Sequence, residues 1–224
     1  LAQEATATFI CRKIYRFFVN EKVNEQHVTA LAKRFRSSNY DIGNLMYTLF
    51  SSDWFYANEN VANRIKSPVE LLAGLIRQLG VSEVATMPLL GLERALGQVL
   101  FRPPNVAGWP GGRAWIDNST LLLRLNLGGA ILRAGNLNYQ LAPELEQEQK
   151  KQLRKLAATI NLAPLETLAN ANAVAKRYEQ LGAYLLAGDL PPNSALTRRA
   201  LAAQATEFTI LLTGILALPE YQLC

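Results

Sequence analysis

The residue types best able to do chemistry gather between positions 102 and 117. The string Arg102-Pro103-Pro104-Asn105-Val106-Ala107-Gly108-Trp109-Pro110-Gly111-Gly112-Arg113 holds helix breakers throughout, which requires an extended, turn-rich path. Trp109 lies between Gly108 and Pro110, where it belongs to no helical stripe, and Trp115 follows six residues later. Two indoles beside Arg102, Asn105, Arg113 and Asp117 could form a shallow polar-aromatic site that stacks on a sugar, a base or a cation. The same residues also describe a rigid Ω-like loop whose indole plugs the core.

Other chemistry is thinly supplied. Asp53, Glu93 and Asp117 are candidates for a general acid and base, a pair that a glycosidase sets roughly 5 to 10 Å apart. Asp53 and Asp117 equally suit helix caps. With the single histidine His27, transition-metal clusters and His-activated nucleophiles are nearly excluded, so neither a metal nor a cofactor is expected. His27 is expected at the surface, on the polar side of its helix. Cys11 reads as a small buried hydrophobe, and with Cys224 it makes no disulfide framework. Gly128 and Gly129 follow no strand, so they do not read as a phosphate-cradling loop.

These residues sit in a globular chain. Of 224 residues, half are hydrophobic and 18% are charged, with Leu and Ala dominant, which makes helix the cheaper backbone choice. Residues 1–133 carry 15 basic and 10 acidic groups, while residues 134–224 carry 8 of each, so the net +5 lies in the first part. The densest clusters, Lys33-Arg34 with Arg36 and Lys150-Lys151 with Arg154-Lys155, suit solvated helix faces and intrahelical pairs better than a phosphate groove. Nucleic acid is therefore the disfavoured partner. The apolar stretch from Ile210 to Leu218 is too short to span a bilayer, so no transmembrane segment is expected, and the opening residues carry no export signal.

The spacing predicts an all-α multi-helix bundle of about eight to ten helices with one long Pro/Gly/Trp loop, as a single domain over residues 1–224. A weak subdivision is expected near 128–142. Residues 4–20 predict a helix with Phe9, Ile14, Phe17 and Phe18 inward. Asn24 caps a second through about Phe35, and Asp41 a third with Ile42, Leu45, Met46, Leu49 and Phe50 inward. Ser67-Pro68-Val69-Glu70 is a capping box with proline at the first helical position, and Gly80 ends that helix. A helix at 89–100 tolerates Gly97 through close helix approach. Helical patterning resumes near Trp115 and gives way to a helix end and loop from Asn126 to Tyr139. Further helices are expected from Pro143, at 164–187 and at 194–218, the last capped by Ser194. No strands or repeats are expected.

Several strings resemble one family. Residues Phe9 to Val19 are similar to its "ARKLYRFFV" helix, and Ile65-Lys66-Ser67-Pro68-Val69-Glu70 to its "KSPVE" helix start. Leu100 to Gly112, ahead of Trp115, is nearly the family's own string, and Leu218-Pro219-Glu220-Tyr221-Gln222 is similar to its terminal "SPEFQ". The family is the bacterial domain-of-unknown-function family 1800. Cys11 departs from the small residue expected in that helix, and residues 134–207 carry none of these motifs. The resemblance implies the C-terminal half of a longer, exported protein, periplasmic or extracellular. It also implies an association with a second uncharacterised family, number 1501, which resembles sulfatases. It supplies no catalytic residues. The functional expectation is a binding or scaffold domain that meets a ligand or partner, glycan included, through the Trp109 loop. The alternatives are a polymer hydrolase with two of Asp53, Glu93 and Asp117 facing one cleft, and nucleic-acid binding through the basic first half.

Overall fold

The computed structural model describes residues 3–84, 86–133, 158–190 and 208–224. Nine α-helices and two short strands fall among the described residues, and the fold is all-α in class. It divides into two compact units, Leu1–Arg64 and Ile65–Cys224, each with its own core.

The first unit contains α1 (Glu4–Phe18), α2 (Glu25–Ser37) and α3 (Ile42–Phe50), followed by a 3-10 turn at Asp53–Tyr56. Asn24 caps α2 by accepting from the amides of Gln26 and His27, and Asp41 caps α3 by accepting from Asn44 N–H. The α2 stripe Val28, Leu31, Ala32 and Phe35 is buried as its spacing requires. The α1 face differs from the expected one. Ala7, Cys11, Tyr15 and Val19 are buried, whereas Phe9, Phe17 and Phe18 are exposed. The small residues at 7 and 11 let α1 lie close to α2, and the bidentate Arg12–Glu25 pair, at 2.7 and 3.1 Å, sits beside that contact. Ile42 and Phe50 are likewise exposed, leaving Leu45 and Leu49 as the buried stripe of α3. Phe17, Phe18, Phe50, Phe55 and Tyr56 instead form a chain of edge-to-face ring contacts.

In the second unit, Ser67 and Glu70 form the expected capping box at the start of α4 (Pro68–Gln78), and Gly80 at φ +59° ends that segment. A strand β1 (Val81–Val84) follows, paired antiparallel with β2 (Ala158–Ile160). This corrects the expectation of no strands. The pairing joins segments far apart in sequence, and each is too short to show alternation. Then come α5 (Thr86–Leu96), α6 (Asn118–Leu132), α7 (Ala163–Leu168), α8 (Val174–Leu185) and α9 (Phe208–Leu216), and a 3-10 turn at Pro219–Gln222.

Three boundaries depart from expectation. Gly97 lies just after α5 at φ +87°, with open space where a Cβ would stand, so it stops the helix rather than admitting a neighbour. The close approach is at Gly128 and Gly129, inside α6, where α6 meets α9. The predicted helix at 164–187 is broken into α7 and α8 around Asn170 and Asn172. The expected helix from Pro143, the Lys150–Lys155 cluster, the 191–193 loop and the Ser194 cap lie outside the described residues, as does most of the 128–142 segment.

A Cβ on Gly128 would stand 2.6 Å from the Cβ of Leu216. Gly128→Ala should therefore push α6 from α9 and lower the free energy of unfolding by about 1–3 kcal/mol, as read by urea denaturation.

Candidate functional site

The Pro/Gly/Trp loop leaves α5 at Gly97 and returns at the 3-10 turn Gly112–Trp115. Its first foot is tied down twice. The Glu93 carboxylate accepts from the Leu100 amide at 3.3 Å, and Gln98 Oε1 accepts from the amide of Val69, in the first turn of α4, at 3.0 Å. Its second foot is held by α6. Thr120 donates its hydroxyl to the Trp115 carbonyl at 3.1 Å, and Asp117 accepts from the Ser119 and Thr120 amides at 2.8 Å each. Those bonds, that from Thr120 first, hold the Asp117 carboxyl below its ordinary range. Within the loop, Asn105 takes the Ala107 amide on its side chain at 2.8 Å and the Gly108 amide on its carbonyl at 3.1 Å.

The candidate residues fare differently in this geometry. Arg102, Asn105 and Arg113 are exposed, and Trp109 is half-buried. Trp115 is only 7% exposed, so its indole supports the loop from beneath and is closed to stacking on a ligand. Asp117 is spent on capping α6, and its own amide donates back to Thr120 Oγ1 at 2.8 Å, which closes a capping box. Glu93 is spent on Leu100. Asp53 belongs to the first unit, where it opens a 3-10 turn. Among the described residues, no group of three or more His, Cys, Asp or Glu could hold a metal ion. No helix among them is long and apolar enough to cross a membrane.

The loop presents apolar side chains. Phe101 is 94% exposed with φ +62°, Val106 is fully exposed, and Leu100 is partly so. A bulky aromatic in the left-handed region is a backbone outlier, and strain of that kind, of order 1–3 kcal/mol, tends to sit at functional positions.

A polar cluster that spacing alone left unremarked lies under the loop's feet. Arg124 of α6 is 1% exposed. Its Nε donates to Gln222 Oε1 at 3.1 Å and its Nη2 to the Lys66 carbonyl. Lys66 in turn donates its amide to the Gln222 carbonyl at 2.8 Å and its ammonium to the Tyr221 carbonyl at 2.7 Å, above the Tyr221 ring. Tyr221 O–H donates to Gln78 Oε1 at 2.7 Å. Arg124 Nη1 and Gln222 Nε2 are buried donors without a partner among the described residues. Burial lowers the Arg124 pKa to about 10, opposed by Glu70, and burial is also the main cause lowering Lys66 and raising Tyr221. The signal was present in the sequence. Thr120, Leu123, Arg124 and Leu127 recur at helical spacing, which places the arginine on the buried face.

His27 also differs from expectation. It is half-buried, stacked on Trp54 at 4.2 Å with Tyr15 beyond, and shares the face of Leu31 and Phe35 at four-residue spacing. Burial raises the Cys11 thiol to about 11, as suits an inert core group. Cys11 and Cys224 are not joined by a disulfide.

These arrangements join the strings 65–70, 100–115 and 218–222 into one structural assembly. A family profile described as "Protein of unknown function (DUF1800)" matches residues 1–223. The chain belongs to the DUF1800 family. No curated protein and no solved structure matches it. In DUF1800 terms, the Arg124 cluster is where the helix-start string and the terminal string of this member meet.

Two measurements check these roles. Arg124→Ala strands the Gln222 side chain and the Lys66 carbonyl and opens a void, so unfolding free energy should fall by about 3 kcal/mol or more in urea titration. Asp117 has a lowered pKa when folded, so its contribution is complete above the ordinary carboxylate range and is lost as pH falls through it. The melting temperature of the native chain should exceed that of Asp117→Ala at neutral pH, and the gap should narrow between about pH 5 and about pH 2.

Proposed function

We propose that this DUF1800 chain is a binding or scaffold module whose contact surface is the 98–113 loop. The observation that carries this reading is Phe101, held at φ +62° and 94% exposed on a loop that is otherwise braced by named hydrogen bonds. The Arg102 amide closes a turn on the Val99 carbonyl at 3.1 Å around that residue, while the ring itself faces solvent. A fixed loop loses little entropy on binding, so its exposed apolar side chains contribute nearly their full burial. Trp109, half-buried, can add an aromatic edge to the contact. The resemblance that implies export would set this contact outside the cytoplasm, with glycan or a family 1501 protein as named candidates. Polymer hydrolysis draws no support from the loop, because Glu93 and Asp117 are engaged by backbone amides.

The test pairs stability with binding. Asn tolerates the left-handed region better than Phe, so Phe101→Asn should leave the melting temperature equal or raise stability by up to about 1 kcal/mol. On glycan, peptide and lipid arrays it should lower the signal of the native chain by about tenfold, as should Trp109→Ala. Array signals unchanged in both variants would refute the loop as the contact surface, as would a large loss of stability in Phe101→Asn.

A further inference from the structure

The 98–113 loop has a chemistry more specific than an apolar contact. We infer that it attaches the protein peripherally to an anionic lipid surface, inserting Leu100, Phe101 and Val106 at the headgroup boundary while Arg102 and Arg113 meet the lipid phosphates. This rests on the preceding reading that the loop is the contact surface.

Three observations select a bilayer over other occupants. The first is charge. Between Glu93 and Asp117 no acidic residue occurs, while Arg94, Arg102 and Arg113 do, and all three are exposed. Such a stretch is complementary to a negative surface, where each basic residue adds to attraction. The carboxylates that bracket it are tied to backbone amides at the feet of the loop.

The second is the backbone. Entering a headgroup boundary strips water from amide groups, and an unsatisfied donor is costly there. Pro103, Pro104 and Pro110 have no N–H to satisfy. The amides of Leu100, Arg102, Ala107 and Gly108 are already bonded to Glu93, to the Val99 carbonyl and to Asn105. Those positions of the loop can therefore leave water without orphaned donors.

The third is shape. Leu100, Phe101 and Val106 are all exposed, the last two almost wholly. A projecting tip needs a soft or concave acceptor. A bilayer boundary accepts Phe, Leu and Val without a matching pocket, and an indole such as Trp109 suits the boundary itself.

The experiment is flotation of the full 224-residue chain with phosphatidylcholine vesicles, with and without about 30% phosphatidylglycerol. The native chain should float with the anionic vesicles, and the neutral ones should bind it about tenfold less. Raising salt from about 0.1 M to about 0.5 M should weaken the anionic binding. Phe101→Asn with Val106→Ser, at exposed positions, should cut partitioning by about tenfold or more with the melting temperature preserved. Arg102→Glu with Arg113→Glu should abolish the preference for anionic lipid. Brominated lipid should quench the native chain more than Trp109→Phe. Absence of flotation together with loop-dependent binding to a peptide or glycan overturns the lipid inference and leaves the contact surface standing. Flotation that is unaffected by the loop variants overturns both. A concentration-dependent dimer lost in the same variants, with no flotation, identifies a second copy as the occupant and overturns the lipid inference.

Discussion

The second unit depends on a guanidinium taken out of water. Arg124 ties α6 to the chain just before α4 and to the terminal 3-10 turn, through Lys66 and Gln222. A buried charge is expensive, and here it is met by the neutral oxygens of Gln222 and Lys66, while burial lowers its pKa to about 10. The compensation is geometric. One planar group, with donors in a fixed fork, sets the register of three segments that are far apart in sequence. The Lys66 ammonium over Tyr221 and the Tyr221 hydroxyl on Gln78 extend the same clasp to the end of α4.

The loop inherits its rigidity from that clasp. One foot is bonded through Gln98 to the first turn of α4, and the other through Trp115 and Thr120 to the first turn of α6. Arg124 lies one turn further along α6 and grips Lys66, immediately before α4. Both feet therefore end on the same fixed platform. That is the condition under which a strained residue such as Phe101 can persist, since surrounding bonds over-determine its backbone. The family membership adds weight to the same region, because the strings 65–70 and 218–222 that resemble the family's motifs are the ones the arginine joins.

What was legible in the sequence was local. Asn24, Asp41, Ser67 with Glu70, and Asp117 each announce a helix start by accepting amide bonds within three residues, and all four helices begin there. Gly80 announces a stop by its need for positive φ. The failures share a cause: the deciding partner is distant in sequence. Hydrophobicity put Phe9, Phe17 and Phe18 on the inner face of α1, yet close packing against α2 favours the small Ala7 and Cys11. Gly128 and Gly129 read as a helix end by propensity, yet the proximity of Leu216 and Thr213 makes their missing Cβ atoms the reason two helices can touch. The β1–β2 ladder is invisible for the same reason. Of the candidate site, the loop itself was evident from its breakers. The distinction between a buried Trp115 and an exposed Phe101 was not, because both are aromatic residues flanking the same string.

The fate of the carboxylates follows from the same physics and bears on how the loop can work. Asp117 and Glu93 looked like reagents, but each sits within reach of backbone amides left unpaired where a helix begins or ends. An exposed carboxylate gains more from two fixed N–H groups than from water alone, and the lowered pKa of Asp117 records that gain. Placing both acids at the feet has a further consequence. The negative charge is confined to the base of the loop and partly neutralised there by amide dipoles. The loop then shows its surroundings arginine, Asn105 and hydrocarbon, with no carboxylate between Glu93 and Asp117. A loop meant to bind a cation, or to deliver a proton, would place a carboxylate near its apex. This one excludes it, and the exclusion is as much a part of its recognition chemistry as the exposed ring of Phe101.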